Sequence, residues 1–512
     1  MLPPVANRET VIAALEGLSR PAGAGPFTAE EIATVCKATG VPEADIYGVL
    51  SFYHLLTDPR ITRRVCTGLT CRIAGSDRVL TQLQSDGQRA EGVSCLGQCD
   101  RPVAVLDQHH DLVEPGPRGN VTPDNEDLPI NLGGADNSQY RALERVQLIG
   151  IDAFLAELET SGLQGRGGAG FPAAFKWRSV RGQTETERYV VCNADEAEPG
   201  TFKDREIMHR RPHLLLEGLA IAAHVVGAQE IHIYIRGAFN ECRASLETAL
   251  AEAAETLSAF SFHFTSGHGA YICGEETALI ESLEGKRGMP RLKPPYPTEV
   301  GFRGKPTLMN NVETLACVPS IVLRGGKWFR AQGRDEAGSK LYCLSGHVQN
   351  PGVYELPLGV TLDELVEHAG GYRGNPQAFS PGGASSGFLP MTYRNTPLDF
   401  KSLAETGSML GSAGVVVLDD SVDMAFAALQ QAIFFEDETC GQCAPCRIGT
   451  RLLRQALSRY VSTGDSKALQ HVHDLAWEMD EGSICGLGIA APIPVISAMK
   501  HFPDAFSAQE QP

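Results

Sequence analysis

This 512-residue sequence contains no apolar run long enough to cross a bilayer. The longest, residues 214–228 (LLLEGLAIAAHVVGA), is short for a span and carries Glu217 and His224, so no direct membrane insertion is expected. No basic segment leads into an apolar one at the N-terminus, which argues against a secretory signal and for a cytoplasmic protein. Basic residues are outnumbered: 44 Lys and Arg against 62 Asp and Glu leave a net charge of −18, the wrong sign for a nucleic-acid surface. Internal repeats and low-complexity tracts are also missing. A reducing compartment would leave the 14 cysteines as thiols rather than a disulfide framework. Six scattered ones (Cys36, Cys192, Cys242, Cys273, Cys317, Cys343) read as small buried hydrophobes. The other eight fall into two spaced groups.

The length suits several domains. Residues 1–112 read as short helices followed by strands at 61–66 and 103–107, with a capping box at Thr28 and Glu31 and a stop at Gly40. Residues 113–140, rich in Pro, Gly, Asn and Asp, read as a linker. Helical and strand patterns alternate over 141–333, with strands at 188–194 and 231–237, which predicts a largely parallel sheet. Residues 334–420 read as a small α+β domain, and 421–512 as helices.

The segment SGLQGRGGAGFPAAFKW (161–177) satisfies G-x-G-x-x-G at Gly165, Gly167 and Gly170. The flanks are wrong for a dinucleotide turn, which needs a strand before the loop. Here a helical pattern precedes it and the next strand begins near 188. Clustered glycines still expose backbone N–H groups to a phosphate or a flat ring, and Phe171, Phe175 and Trp177 follow at once. A flexible surface turn is the alternative. Three more polar, glycine-flanked stretches (192–205, 271–288 and 306–315) make a shared ligand site a better reading than four separate caps.

Cys440, Cys443 and Cys446 sit three residues apart, with Cys485 a distant fourth, which is the ligand logic of a [4Fe–4S] cluster. Cys66 and Cys71, with Cys95 and Cys99, make two pairs suited to a [2Fe–2S] cluster. Zinc is the competing occupant at both places.

The stretches GRGGAGFP…KW, NADEAEPGTFKDR, YICGEETAL and GKPTLMNNVET resemble the flavin- and NADH-binding subunit of complex I and the diaphorase subunits of NAD-reducing hydrogenases and NAD-dependent formate dehydrogenases. Residues 30–107 resemble the small thioredoxin-like [2Fe–2S] subunit of complex I. Residues 340–418, with SGHVQNPGVYELPLG, resemble its β-grasp (ubiquitin-like) module. The resemblance implies an α/β multidomain chain: thioredoxin-like N-terminal domain, Rossmann-like FMN/NADH domain, β-grasp domain and C-terminal helical bundle.

It also implies site residues. FMN would be held by Gly165, Arg166, Gly167, Gly168, Lys176, Asn193, Asp195, Glu196, Tyr271, Gly274, Glu275, Asn310, Asn311 and Thr314. NADH would meet Phe171, Glu198, Glu276, Lys293 and Tyr296, with Phe171 and Glu276 holding the nicotinamide as the catalytic pair. Ser179 stands where some relatives carry another stacking Phe. The stretch 72–94 is shorter than the resemblance leads one to expect, which predicts a [2Fe–2S] cluster more open to solvent or less reliably occupied.

The implied activity is hydride transfer between NAD(H) and FMN, then single-electron transfer through the clusters to or from a partner subunit. The first expectation for that partner is a molybdenum or tungsten formate dehydrogenase alpha subunit with its own iron–sulfur clusters. The alternatives are the corresponding module of complex I or of an NAD-reducing hydrogenase, and, in a different class, a regulatory protein that binds FMN and NADH without turnover.

Overall fold

The computed structural model describes residues 8–18, 27–57 and 60–507. Parts of the N-terminal helical reading, at 1–7 and 19–26, lie outside them. Thr28 caps the helix Ala29–Thr39 with the expected box: its hydroxyl accepts from the Glu31 N–H while Glu31 reaches back to the Thr28 N–H, and Gly40 ends the helix at φ 71°. A mixed three-stranded sheet follows, built from β1 (Arg63–Cys66), β2 (Ala90–Val93) and β3 (Val105–Asp107), in the order β2-β1-β3. Between β1 and β2 lie the helices Leu69–Ile73 and Ser76–Ser85.

The segment 113–140 is not a free linker. Its β4 (Asn120–Val121) pairs in parallel with residues 352–353 at the edge of a later sheet, and Ile130 and Leu132 are buried. Polar, turn-rich composition concealed a short edge strand whose hydrogen bonds come from a partner far along the chain.

The central unit is a four-stranded parallel sheet of β5 (Tyr189–Ala194), β6 (Glu230–Arg236), β7 (Ser261–Gly267) and β8 (Thr307–Asn311), ordered β7-β6-β5-β8. Helices such as Pro212–Val226 and Val312–Arg324 cover it, and the apolar runs of β5 and β6 are buried. Next comes the sheet of β9 (Ser339–Gly346), β10 (Gly352–Pro357), β11 (Pro376–Ser380), β12 (Leu389–Pro390) and β13 (Gly414–Asp419), with β4 at its edge. The chain ends in helices at Met424–Glu438, Ala444–Thr463, Val472–Gly482, Gly486–Ala490 and Ile493–His501.

Three histidines are folded in as neutral groups. Burial, aided by Arg64 at His110, by His263 at His232 and by His110 at His268, lowers each from 6.5 to about 4. Unfolding lets them charge at their ordinary value. Their contribution is therefore intact above pH 6.5 and is lost as pH falls toward 4, by up to about 1.4 kcal/mol per pH unit for each. Urea midpoints should drop steadily between pH 6.5 and 5, and the drop should shrink in His268→Gln.

Candidate functional site

In an open parallel sheet, ligands sit beyond the carboxyl ends of the strands, where strand order reverses. Here β5, β6 and β7 run one way and β8 returns on the other side of β5, so the crevice lies beyond Ala194 and Asn311. The glycine loop closes over that point. The Gly165 N–H donates to the Phe171 carbonyl at 2.8 Å, and the Ala173 N–H to the Leu163 carbonyl at 2.9 Å. At Gly167 an added Cβ would stand 3.0 Å from Asn311 Cβ. At Gly170, with φ +64°, it would stand 3.1 Å from Phe400. The loop is thus packed against Asn311 of the parallel sheet and against Phe400 of the following unit, while Gly167, Ala169 and Phe171 keep an exposed side. Among the described residues the Gly167 and Gly168 N–H groups donate to nothing within the chain. Free N–H groups at the mouth of a switch-point crevice, with Asn311 crowding Gly167 from behind, fit a phosphate or a flavin edge.

The other polar residues converge on the same end of the sheet in different ways. Asn193 Nδ2 donates to the Gly274 carbonyl at 2.8 Å, tying the β5 end to the 271–276 segment. Asp195 Oδ2 is buried without a partner, and burial raises this carboxyl to about 7 despite Arg236. An orphaned buried acceptor is a position that a ligand donor completes. Glu275 caps the helix Glu276–Leu283 through the Thr277 and Ala278 N–H groups, both at 2.9 Å. Lys176 Nζ reaches Glu276 at 2.8 Å, while Lys293 Nζ reaches Glu275 at 2.9 Å and Glu276 at 3.4 Å. Burial alone would raise Glu276, but the two lysines hold it below its ordinary value. Phe171 and Tyr296 stand about half exposed, and Phe171 meets Phe175 edge to face at 5.7 Å.

Other expected site residues also have partners within the chain. The Arg166 N–H donates to Thr314 Oγ1 at 2.8 Å, and its guanidinium turns away to the Ala337 carbonyl at 2.8 Å. Glu196 caps the helix Lys203–Arg210 through the Asp204 and Arg205 N–H groups at 2.9 and 3.0 Å. Asn310 accepts from Trp177 Nε1 at 2.9 Å, and Asn311 caps the helix Val312–Arg324 while donating to Asp204 at 2.6 Å. Glu198 accepts from the Ser385 N–H at 2.8 Å and from the Tyr271 hydroxyl, and so joins the flavin unit to the β-grasp unit. These residues frame the crevice from behind.

One group escaped the sequence reading. Lys203 is buried among Asp204 (2.7 Å), Glu313 (3.0 Å) and Asn311 (3.2 Å), and Lys340 binds Glu313 at 2.5 Å. This packed ionic cluster underlies Asn311 and hence the glycine loop. The visible signal was the charge density of TFKDR directly after a strand and turn.

The cysteines of the first set come together, and Cys440, Cys443 and Cys485 lie close enough to Cys446 to add to burial in raising its thiol. Cys95 and Cys99 sulfurs lie 3.6 Å apart, the Gly97 N–H points at Cys95 Sγ at 3.4 Å, and Gly68 sits between Cys66 and Cys95. All four thiols are at most 4% exposed. This corrects the expectation of an open site. The shortened 72–94 stretch matters little, because Pro199, Gly200, Ser380, Gly383, Val416 and Gln431 from the other units close the chamber. In the helical bundle, Cys443 precedes the helix Ala444–Thr463, Cys446 lies in its first turn, and Cys485 precedes the helix Gly486–Ala490. Thr439 Oγ1 lies 3.1 Å from Cys446 Sγ. No three thiols among the described residues fall within 4.8 Å of one another.

Fold and site define a class: a flavin-linked NADH diaphorase subunit with iron–sulfur clusters. Four family descriptions match: "Thioredoxin-like [2Fe-2S] ferredoxin" at 3–115, "Nuo51 FMN-binding domain" at 158–320, "SLBB domain" at 341–389 and "NADH-ubiquinone oxidoreductase-F iron-sulfur binding region" at 427–509. The F 2 subunit of NADH-quinone oxidoreductase in Rhizobium meliloti (strain 1021) is 48% identical over 390 residues, covering 72% of this chain and 91% of that protein. The F subunit of NADH-quinone oxidoreductase in Rickettsia typhi is 44% identical over 371 residues, covering 69% and 88%. The chain belongs to the family of NADH-quinone oxidoreductase F subunits, with a thioredoxin-like [2Fe–2S] unit joined in front. A chain in the crystal structure of an air-oxidized NAD+-reducing [NiFe]-hydrogenase superposes with a TM-score of 0.90 at 32% identity, covering 99% of this chain and 95% of that one. No helix among the described residues is long and apolar enough to cross a membrane.

Proposed function

We propose that this chain is the pyridine-nucleotide-reactive half of an oxidoreductase complex, exchanging electrons with a separate catalytic subunit. The observation that supports this most strongly is that one chain brings a switch-point crevice with unpaired loop N–H groups together with two complete thiol sets. When bound, FMN converts between the paired electrons exchanged with NAD(H) and the single electrons carried by clusters. The residues supply position. Gly167 and Gly168 offer N–H donors, Asp195 an open acceptor, and Asn193 fixes the wall at Gly274. Glu276, held ionised between Lys176 and Lys293, sets the polar edge of the nucleotide entrance, and Phe171 offers a ring face there. No side chain in this arrangement needs to act as an obligatory proton donor or acceptor.

Phe171→Ala tests the nucleotide placement. Losing a stacked ring should raise the KM for NADH at least fivefold, on the order of 1 kcal/mol or more. The fold should be undisturbed, because the side chain is half exposed. An unchanged KM would remove Phe171 from the site. NADH-dependent ferricyanide reduction separates an enzyme from a binding-only regulator.

For the host complex, we propose a cytoplasmic NAD-dependent formate dehydrogenase with a molybdenum or tungsten catalytic subunit. Fusion of the [2Fe–2S] unit to the flavin unit suits a compact soluble assembly. The NAD+-reducing hydrogenase is the second reading, supported by the superposition over 99% of the chain. Metal analysis of the native complex decides between them: molybdenum or tungsten with formate-dependent NAD+ reduction supports the first, and nickel overturns it.

A further inference from the structure

At the amino-terminal end of the flavin sheet, opposite the crevice, two histidines face each other across neighbouring strands. His232 on β6 is in register with His263 on β7, and their rings stack at 4.8 Å with an interplanar angle of 21°. Glu230, two residues before His232 and on the same face, directs one carboxylate oxygen at both. Oε2 lies 3.4 Å from His232 Nε2 and 3.8 Å from His263 Nε2, and all three atoms fall within 4.8 Å of one another. Ligand atoms bonded at about 2.0–2.2 Å to a tetrahedral ion stand about 3.3–3.6 Å apart. The two nitrogen–oxygen separations already have nearly that spacing.

The geometry points to a divalent transition-metal site formed by Glu230, His232 and His263, taking an ion of the zinc, cobalt or nickel class with water completing its shell. Two imidazole nitrogens and one carboxylate suit such ions and not magnesium or calcium, which prefer all-oxygen sets. His232 is buried against Phe302 and Tyr189, which keeps its imidazole unprotonated and ready to ligate. His263 is 48% exposed and gives an entering ion access. Arg303 approaches Glu230 at 3.4 Å, but its main partner is Glu9, which it grips at 2.6 and 2.8 Å. Two carboxylates against one guanidinium leave the neighbourhood net negative.

The site is distinct from the flavin crevice. Six residue steps along β6, about 20 Å of strand, separate Glu230 from Arg236 at the other end. β7 is an edge strand, so the ion would clip it to β6 without touching the redox groups.

The test is equilibrium dialysis of the intact, cluster-loaded protein against micromolar free zinc, followed by metal analysis. The wild type should retain one zinc per chain with its iron content unchanged, and its thermal midpoint should rise. His263→Ala, which alters an exposed side chain, and Glu230→Gln should each weaken retention at least about tenfold while leaving iron and NADH turnover as they were. Magnesium in place of zinc should neither be retained nor shift the midpoint. Equal zinc in wild type and both variants, zinc gained at the expense of iron, or no zinc retained would each overturn the assignment.

Discussion

Arg205→Met should be strongly destabilising. The guanidinium is buried and holds five oxygens: the Gly97 carbonyl (2.8 Å), Gln98 Oε1 (2.6 Å), both Asp100 carboxylate oxygens (3.0 and 2.8 Å) and Glu206 (3.0 Å). Gly97 and Asp100 flank Cys99 in the N-terminal unit, whereas Arg205 belongs to the flavin unit. Burial alone would raise the Glu206 carboxyl, but Arg205, Arg210 and Arg118 pull it down to about 2. Removing Arg205 strands Asp100, whose other partner is the Gly119 N–H at 2.8 Å. Breaking one side of a buried ion pair costs about 3–5 kcal/mol. The loss should appear as a lower urea midpoint, with the visible circular dichroism of the [2Fe–2S] cluster disappearing before the flavin is released. Simultaneous loss at the wild-type midpoint would contradict the assigned role.

Cys443→Ala should abolish the [4Fe–4S] signal in electron paramagnetic resonance while FMN stays bound. Cys443 sits between Cys440 and Cys446 at the start of a helix, and its loss leaves three thiolates for four iron corners. The proposed flavin residues lie within 165–314, outside the helix Ala444–Thr463, so NADH-dependent ferricyanide reduction should persist. Transfer to the natural partner should fall below detection. A surviving signal would mean that Cys443 is not a ligand.

Much of this was legible in the chain. Cysteine spacing marked both thiol sets, and the flanks of the glycine loop argued against a dinucleotide turn. The buried runs YVVCNA and IHIYIR announced β5 and β6 because apolar continuity is what a two-sided sheet demands. β7 and β8 were not announced: SFHFTSG is a partly exposed edge strand and TLMNN ends in polar residues. β4 is two residues long and exists only through its pairing with β10.

The site was harder to read for a related reason. Asn311, Glu196 and Glu198 were visible as polar residues near strand ends, but sequence cannot say whether such a group faces a ligand or caps a helix. Here the backbone brings N–H groups to Asn311 and Glu196, and Glu198 is taken by a β-grasp residue nearly 200 positions away. The burial of the [2Fe–2S] chamber is likewise a property of the assembled units: four of its lining residues come from 380–431.

The central claim is that this single chain seats a flavin and two iron–sulfur clusters. Anaerobic purification of the isolated protein, with flavin, iron and acid-labile sulfide measured on one sample, tests it most directly. The account predicts a brown protein with one FMN per chain and six iron and six sulfide atoms, four and two from the two clusters. A colourless chain without flavin or sulfide, or one in which zinc replaces the iron, would contradict it.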